Sequence, residues 1–185
     1  MTRPPVLSLV VPAYNEEKRL PVSLARISEW VLSRTPQLSV EVLVVDDSSS
    51  DRTAAVAEKT AAGLGLDFRV LRLPRNRGKG AAVREGVLAA AGEQVLVTDA
   101  ALSTPIEEVD KLLAAGTAVA IGSRAVDETL VKQRQSLFRV ASGKLFNLLV
   151  RLLVVSGIRD TQCGFKLFRR EAAREIFSRA SVDRF

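Results

Sequence analysis

Val42-Leu43-Val44-Val45-Asp46-Asp47-Ser48-Ser49-Ser50-Asp51 is the stretch on which the fold turns. Its first four residues are all aliphatic. A strand half-exposed to water would alternate apolar and polar side chains, so an unbroken run predicts a strand buried on both faces. Two adjacent carboxylates end it, and three serines supply turn chemistry. Asp51 is placed to cap the Ala-rich helix that follows to about Ala62, where Gly63 and Gly65 are stop signals. Buried strand, polar turn and helix make half of a parallel β-α unit.

The same unit recurs on either side. Leu7–Val11 reads as a strand closed by Pro12. Glu16–Ser33 reads as a helix with Leu20, Leu24, Ile27 and Val31 at three- and four-residue spacing. Phe68–Leu73 is a third strand, followed by Arg75-Asn76-Arg77-Gly78-Lys79-Gly80 and a helix over Ala81–Ala91. Gln94–Thr98 is a fourth strand leading into Asp99. A short helix follows Pro105, and Ala118–Ile121 is a fifth strand. The expected class is α/β, with a largely parallel central sheet flanked by helices. Ligands of such sheets bind beyond the carboxyl ends of the strands. The polar clusters Tyr14-Asn15-Glu16, Asp46-Asp47, Arg75 to Gly80 and Asp99 all fall at those ends.

Further on, 124–135 reads as a charged loop and Ser136–Val155 as an apolar helix. Arg139, Gly143, Asn147 and Arg151 make one narrow polar stripe on it. That helix is either core with one wet edge or a helix lying against lipid. Asp160–Phe168 is strand-like and Glu171–Phe177 helical. The most apolar run, Leu145–Val155, is shorter than the roughly 20 residues needed to span a bilayer.

Composition narrows the chemistry. The 185 residues contain no histidine and one cysteine, Cys163. His-dependent triads, His-ligated zinc, intrachain disulfides and multi-cysteine metal sites are excluded. Carboxylates, Lys/Arg, hydroxyls and backbone amides remain. The net charge of +6 is uneven. Residues 1–123 hold 14 Lys/Arg against 15 Asp/Glu, whereas residues 124–185 hold 13 against 6. The basic third suits an anionic partner (phosphate, nucleic acid or an acidic membrane surface) or is a solvated basic face. One Trp, one Tyr and seven Phe, with no single-strand stacking motif, argue against nucleic acid.

At the strand ends, Asp46 and Asp47 can accept bonds from a ribose diol or a base N–H, or one of them can cap the next helix. Gly78-Lys79-Gly80 lets backbone and an ammonium approach a phosphate. Neither P-loop spacing nor the dinucleotide Gly-x-Gly-x-x-Gly is present. Asp99 is a natural ligand for a hard divalent cation bridging a diphosphate.

With Val11-Pro12-Ala13-Tyr14-Asn15-Glu16, Val44 to Asp51, Asn76 to Gly80, Thr98-Asp99-Ala100, Leu102 to Pro105, Gly122-Ser123-Arg124 and Asp160 to Phe168 in this order, the chain resembles family 2 glycosyltransferases of the GT-A (Rossmann-like) fold. It resembles most the dolichyl- or polyprenyl-phosphate glucosyltransferases. The resemblance implies one domain over 1–185, with a nucleotide-sugar half (1–123) and a basic acceptor half (124–185) expected to be truncated at its C-terminus. It implies that Pro12, Tyr14, Glu16 and Asp46 or Asp47 hold uridine, and that Arg75 and Lys79 sit near the nucleotide or diphosphate. Asp99 would bind Mg²⁺ or Mn²⁺. Arg124, Arg134 and Arg139 would hold the acceptor phosphate, and Gln162 and Gly164 would line the sugar side. Ala13, Gly78, Thr98, Ala100 and Ser123 fall in the same motifs and join the expected substrate-binding set.

The implied activity is inverting transfer of glucose from UDP-glucose to a polyprenyl (dolichyl) phosphate, on the cytoplasmic face of a membrane. GDP-mannose is the alternative donor. Homo-oligomerisation through the 136–155 helix is a further expectation. The family pattern here is Asp-x-Asp, and this chain has Ala101 at the second aspartate. Three readings of Ala101 stand: a substitution introduced to slow turnover, a natural metal-poor site, or a non-catalytic nucleotide-sugar binder.

Overall fold

A computed structural model describes residues 5–122 and 163–181. In chain order these form β1 (Leu7–Ala13), α1 (Leu20–Arg34), β2 (Val40–Asp46), α2 (Thr53–Leu64), β3 (Asp67–Arg72), α3 (Lys79–Ala89) and β4 (Gln94–Val97). A 3₁₀ turn (Ile106–Glu108) then runs into α4 (Val109–Ala114), followed by β5 (Val119–Ile121), β6 (Lys166–Arg169) and α5 (Arg170–Arg179). The expected helix at 136–155 lies outside the described residues.

The strands form one sheet in the order β3-β2-β1-β4-β6-β5. β3, β2, β1 and β4 are parallel. β1 and β2 are buried along their whole lengths, as their unbroken aliphatic runs require. Their side chains still divide by parity. Leu7, Leu9, Val11, Val42 and Val44 pack against Leu20, Leu24, Ile27 and Trp30 of α1 and Ala57 of α2. Val10, Val45, Val95 and Val97 pack on the other face against Ala82 and Val87 of α3 and Ala173 of α5. Each such aliphatic side chain contributes about 1.5–3 kcal/mol on full burial. On that second face α3 lies very close to the sheet. A Cβ on Gly86 would sit 2.5 Å from Val10 Cγ1 and 2.8 Å from Val45 Cγ2, so only glycine fits there.

β6 breaks the parallel pattern. It runs antiparallel between β4 and β5, with Val97 opposite Lys166 and Ile121 opposite Lys166. An antiparallel strand begins where its neighbour ends. The residues leading into β6 are therefore delivered to the carboxyl edge of β4, although they lie more than sixty positions away in sequence. Of the expected strand over 160–168, residues 160–162 lie outside the described residues, Cys163 to Phe165 form an irregular approach, and the strand itself is Lys166–Arg169.

Three arginines serve this packing. Arg170 donates to the carbonyls of Gly92 and Ala91 at the end of α3, Arg169 to the carbonyl of Gly116, and Arg84 to that of Phe177. These guanidinium groups donate to carbonyls at or just beyond helix ends, where the helical ladder runs out of donors.

Several helix starts differ from expectation for local reasons. α1 begins at Leu20 rather than Glu16, because the Glu16 carbonyl first closes a turn with the Arg19 and Leu20 N–H groups. Pro21 then occupies the first helical turn, where its missing N–H is harmless. α3 begins at Lys79 rather than Ala81, directly after Gly78, whose φ of 99° stops the preceding extended chain. Asp51 lies one residue before the cap position of α2, which is Arg52. It still serves the helix entry, accepting the N–H and hydroxyl of Thr53.

Candidate active site

The carboxyl ends of β1, β2 and β4 surround a cavity of about 660 Å³, a size ordinary for small-molecule sites. Pro12, Ala13, Tyr14, Glu16, Asp47, Gly78, Lys79, Asp99, Ala100, Ala101 and Gly164 line it, together with Arg19, Asn76, Ala82 and Ser103. Most of the expected residues thus converge from five separate segments.

The β1 and β2 exits are stapled to each other. Asn15 and Ser48 both take left-handed backbone, with φ of 56° and 58°, which short polar side chains tolerate. The Asn15 N–H donates to Ser49 Oγ at 2.9 Å, and Asn15 Oδ1 accepts the Ser50 N–H at 2.9 Å. Thr53 Oγ1 accepts the Glu16 N–H, and Asp51 accepts the Glu17 N–H. Burial would raise the Asp51 carboxyl, but the Thr53 hydroxyl, the Thr53 N–H and the Glu17 N–H outweigh it and hold the pKa below the usual value. These bonds leave Tyr14 half-exposed over the cavity.

The two adjacent aspartates divide their work. Asp46 is fully buried beneath the cavity, off its lining, where it accepts the Ser49 N–H at 3.0 Å and pairs with Arg72 at 3.3 Å. Asp47 lines the cavity, but both its carboxylate oxygens are engaged. Oδ1 accepts the Arg77 N–H at 2.8 Å and Oδ2 the Gly78 N–H at 2.7 Å. It holds the start of α3 in place. Glu16 is also occupied, in a two-bond pair with Arg19 at 2.7 and 2.9 Å.

Asp99 differs. Its Oδ1 accepts the N–H groups of Ala101 and Ser103 at 3.0 and 3.1 Å and the Ser103 hydroxyl at 3.2 Å. This closes a tight turn in which Leu102 has a φ of 46°. Oδ2 makes no hydrogen bond or ion pair among the described residues, and it stands 4.0 Å from the Cβ position that a side chain at 164 would occupy. Lys79 Nζ lies 3.7 Å from the same point. From beneath, Ser23 of α1 donates to the Ala100 carbonyl at 2.7 Å.

Arg75 is exposed and does not line the cavity, because the chain turns away at Pro74-Arg75 before returning at Asn76. Thr98 is buried with an unpartnered hydroxyl and is also off the lining. Ser123, Arg124, Arg134, Arg139 and Gln162 lie outside the described residues. Arg19 was not among the expected residues. Its only sequence signal is the i,i+3 spacing from Glu16, which puts the two side chains on one face.

A divalent cation can be weighed against these groups. Among the described residues no cluster of three or more acidic or sulfur side chains could hold a metal by itself. One free carboxylate oxygen at the cavity, beside an ammonium, fits a hard cation that arrives with a diphosphate. Magnesium is often held by one or two carboxylates plus substrate phosphates. Ala101 adds no ligand.

Residues 8–177 match the family described as glycosyl transferase family 2. The chain belongs to that family. Over 192 aligned residues this family 2 chain is 44% identical to human dolichyl-phosphate beta-glucosyltransferase, covering 97% of the chain and 59% of the human protein. It thus spans somewhat over half the length of that relative. A mannosyltransferase from Pyrobaculum calidifontis, solved with GDP-mannose and Mn²⁺, superposes with a TM-score of 0.66 at 25% identity, over 98% of this chain and 50% of that one. Glucosyl-3-phosphoglycerate synthase of Mycobacterium tuberculosis shares the fold, with a TM-score of 0.61 at 23% identity, over 90% of this chain and 58% of that one. The α/β sheet with its antiparallel β6 is the GT-A glycosyltransferase fold.

Proposed function

We propose that this family 2 glycosyltransferase moves glucose from UDP-glucose to dolichyl or another polyprenyl phosphate. The observation that carries the reading is the 44% identity to a dolichyl-phosphate beta-glucosyltransferase along nearly the whole chain. The cavity supports it with an open carboxylate oxygen on Asp99 and an ammonium on Lys79 facing one space.

In this reading the nucleoside lies over the β1 exit, beside Pro12, Ala13 and Tyr14. Asp47 acts through backbone: it fixes Gly78 and so sets where Lys79 stands. Lys79 balances the negative charge of the diphosphate as it leaves, an electrostatic role that needs no proton transfer. Asp99 Oδ2 would hold Mg²⁺ or Mn²⁺, which when bound adds charge stabilisation to the departing diphosphate. The acceptor phosphate is ionised at neutral pH and attacks the anomeric carbon without a strong general base, so a chain without histidine suffices. Arg124, Arg134 and Arg139 are proposed to hold that phosphate. The basic C-terminal third fits work at an anionic membrane surface, and we place the protein peripherally on the cytoplasmic leaflet. No helix among the described residues is long and apolar enough to cross a membrane.

Ala101 favours a second reading, in which nucleotide sugar is bound but not turned over. Transfer of labelled glucose from UDP-glucose to polyprenyl phosphate separates the two, measured with Mn²⁺ for this chain and for Ala101→Asp. Product from this chain, increased in Ala101→Asp, is the expected result, and product from Ala101→Asp alone gives this chain the second reading. Silence from both folded proteins sinks the glucosyltransferase reading. Product with GDP-mannose instead would transfer the assignment to the mannose donor.

A further inference from the structure

Among the described residues nothing requires residue 164 to be glycine. Its φ lies outside the left-handed region, and among the described residues a Cβ added there meets nothing closer than 3.7 Å. That is ordinary van der Waals contact, in contrast to Gly86, where a Cβ would collide with Val10 at 2.5 Å. The fold would accept a methyl group at 164. The two atoms nearest that methyl are Lys79 Nζ at 3.7 Å and Asp99 Oδ2 at 4.0 Å. One is an exposed ammonium and the other a carboxylate oxygen with no bonding partner among the described residues. Neither forms an ion pair with the other, since no such contact within 4.0 Å exists. A cation and an anion held apart across an open space, with a glycine as the third wall, describe a slot kept clear for a charged group.

We propose that Gly164 is a specificity-determining residue whose missing side chain reserves the space between Lys79 and Asp99 for the diphosphate of the donor. A diphosphate suits both walls, because its oxygens can face the ammonium directly and can share a divalent cation with the carboxylate. A methyl at 164 would stand 3.7 Å from the ammonium and 4.0 Å from the carboxylate oxygen, in space the diphosphate would take, while leaving the nucleoside seat at Tyr14 untouched. The inference rests on the UDP-sugar reading above and adds the residue that admits the diphosphate.

Three proteins test it: the unaltered chain, Gly164→Ala and Gly164→Ser. Each is titrated with UDP and with UMP in the presence of Mn²⁺, and its thermal midpoint is measured. Replacing glycine at an unstrained position restricts the unfolded chain, so Gly164→Ala should melt at the same temperature or higher. Its UDP affinity should fall by roughly tenfold or more, the scale of one misplaced carbon in a fitted pocket. Its UMP affinity should stay within about twofold of the unaltered chain. Gly164→Ser should lose more UDP affinity than Gly164→Ala. Unchanged UDP affinity in both variants overturns the proposal. So does a lowered midpoint with UDP and UMP affinity falling together, which would make Gly164 a residue of the fold. Failure of the unaltered chain to bind either nucleotide would instead remove the donor reading on which the proposal stands.

Discussion

Asp47 Oδ2 accepts the backbone N–H of Gly78 at 2.7 Å, and its other oxygen accepts that of Arg77 at 2.8 Å. A buried carboxylate at the end of β2 thus ties down the first residues before α3. Both bonds are charge-assisted, and both partners are backbone groups that no side chain on the loop can replace. Asp47→Asn keeps the shape but turns one acceptor into a donor facing an N–H. We expect a loss of about 1–3 kcal/mol in urea denaturation. Because Gly78 positions Lys79, UDP affinity should fall as well. Full UDP affinity in folded Asp47→Asn would show that Lys79 does not depend on this tie.

At the opposite edge of the sheet, Glu41 is buried and serves the loop between α3 and β4. It accepts the Ser8 hydroxyl at 2.5 Å, the Ala91 N–H at 2.6 Å and Arg69 at 2.8 Å. Burial would raise its pKa, but the Ser8, Ala91 and Arg69 contacts together outweigh burial and hold it below the usual glutamate value. A depressed folded-state pKa stabilises the native protein above the unfolded-state value, and that contribution is lost as pH falls through the folded-state value. Glu41→Gln should therefore be less stable by about 2–3 kcal/mol at neutral pH. The gap should narrow steadily in acid, as urea midpoints measured across the acid range will show. A gap independent of pH would mean that shape, not charge, holds the loop.

Much of the fold was legible because burial leaves a mark on composition. β1 and β2 are central, covered on both faces, and read as unbroken aliphatic runs. β6 read as a strand with no place in the sheet, because its antiparallel seat beside β4 is a pairing of Val97 with Lys166, and nothing local to either residue encodes it. The site divides the same way. Asp99 stood out as a charge following a buried strand, and Lys79 as a charge set between two glycines. The work of Asp46 and Asp47 did not, since their partners are largely backbone N–H groups, which carry no residue-specific signal. The two acids read as ligand groups or, for one of them, as a helix cap, and in the structure Asp46 pairs with Arg72 while Asp47 accepts the Arg77 and Gly78 N–H groups.

Ser23 is a case of the same kind. Within α1 it reads as an unremarkable helix residue, yet it is buried and donates to the Ala100 carbonyl at 2.7 Å. It supports the Asp99 turn from beneath. Ser23→Ala removes the donor to a buried carbonyl, and we expect a cost of about 1–2 kcal/mol. The sharper readout is the gain in UDP affinity on adding Mn²⁺. If Ser23 orients the turn, that gain shrinks in Ser23→Ala; if it only packs α1, stability falls and the gain is unchanged.

Ala101 is the position at which a second metal ligand can be tested. Its N–H already donates to Asp99 Oδ1, its side chain is exposed, and it rims the cavity. A carboxylate there would meet no burial penalty and would lie on the same turn as the free Asp99 Oδ2. Loss of a mere outer partner lowers metal affinity by about 10–100-fold, so regaining a direct ligand should gain at least that much. Ala101→Asp should tighten Mn²⁺ binding in the UDP complex on that scale, read by electron paramagnetic resonance of free Mn²⁺ during titration. Two neighbouring carboxylates also repel when no cation is present, so the same variant should be no more stable than the unaltered chain without metal and should gain thermal stability when Mn²⁺ and UDP are both added. Asp99→Asn in the Ala101→Asp background should abolish both gains. Mn²⁺ affinity unmoved by Ala101→Asp would mean that the 99–101 turn does not face the cation, and the metal would have to be sought elsewhere around the diphosphate.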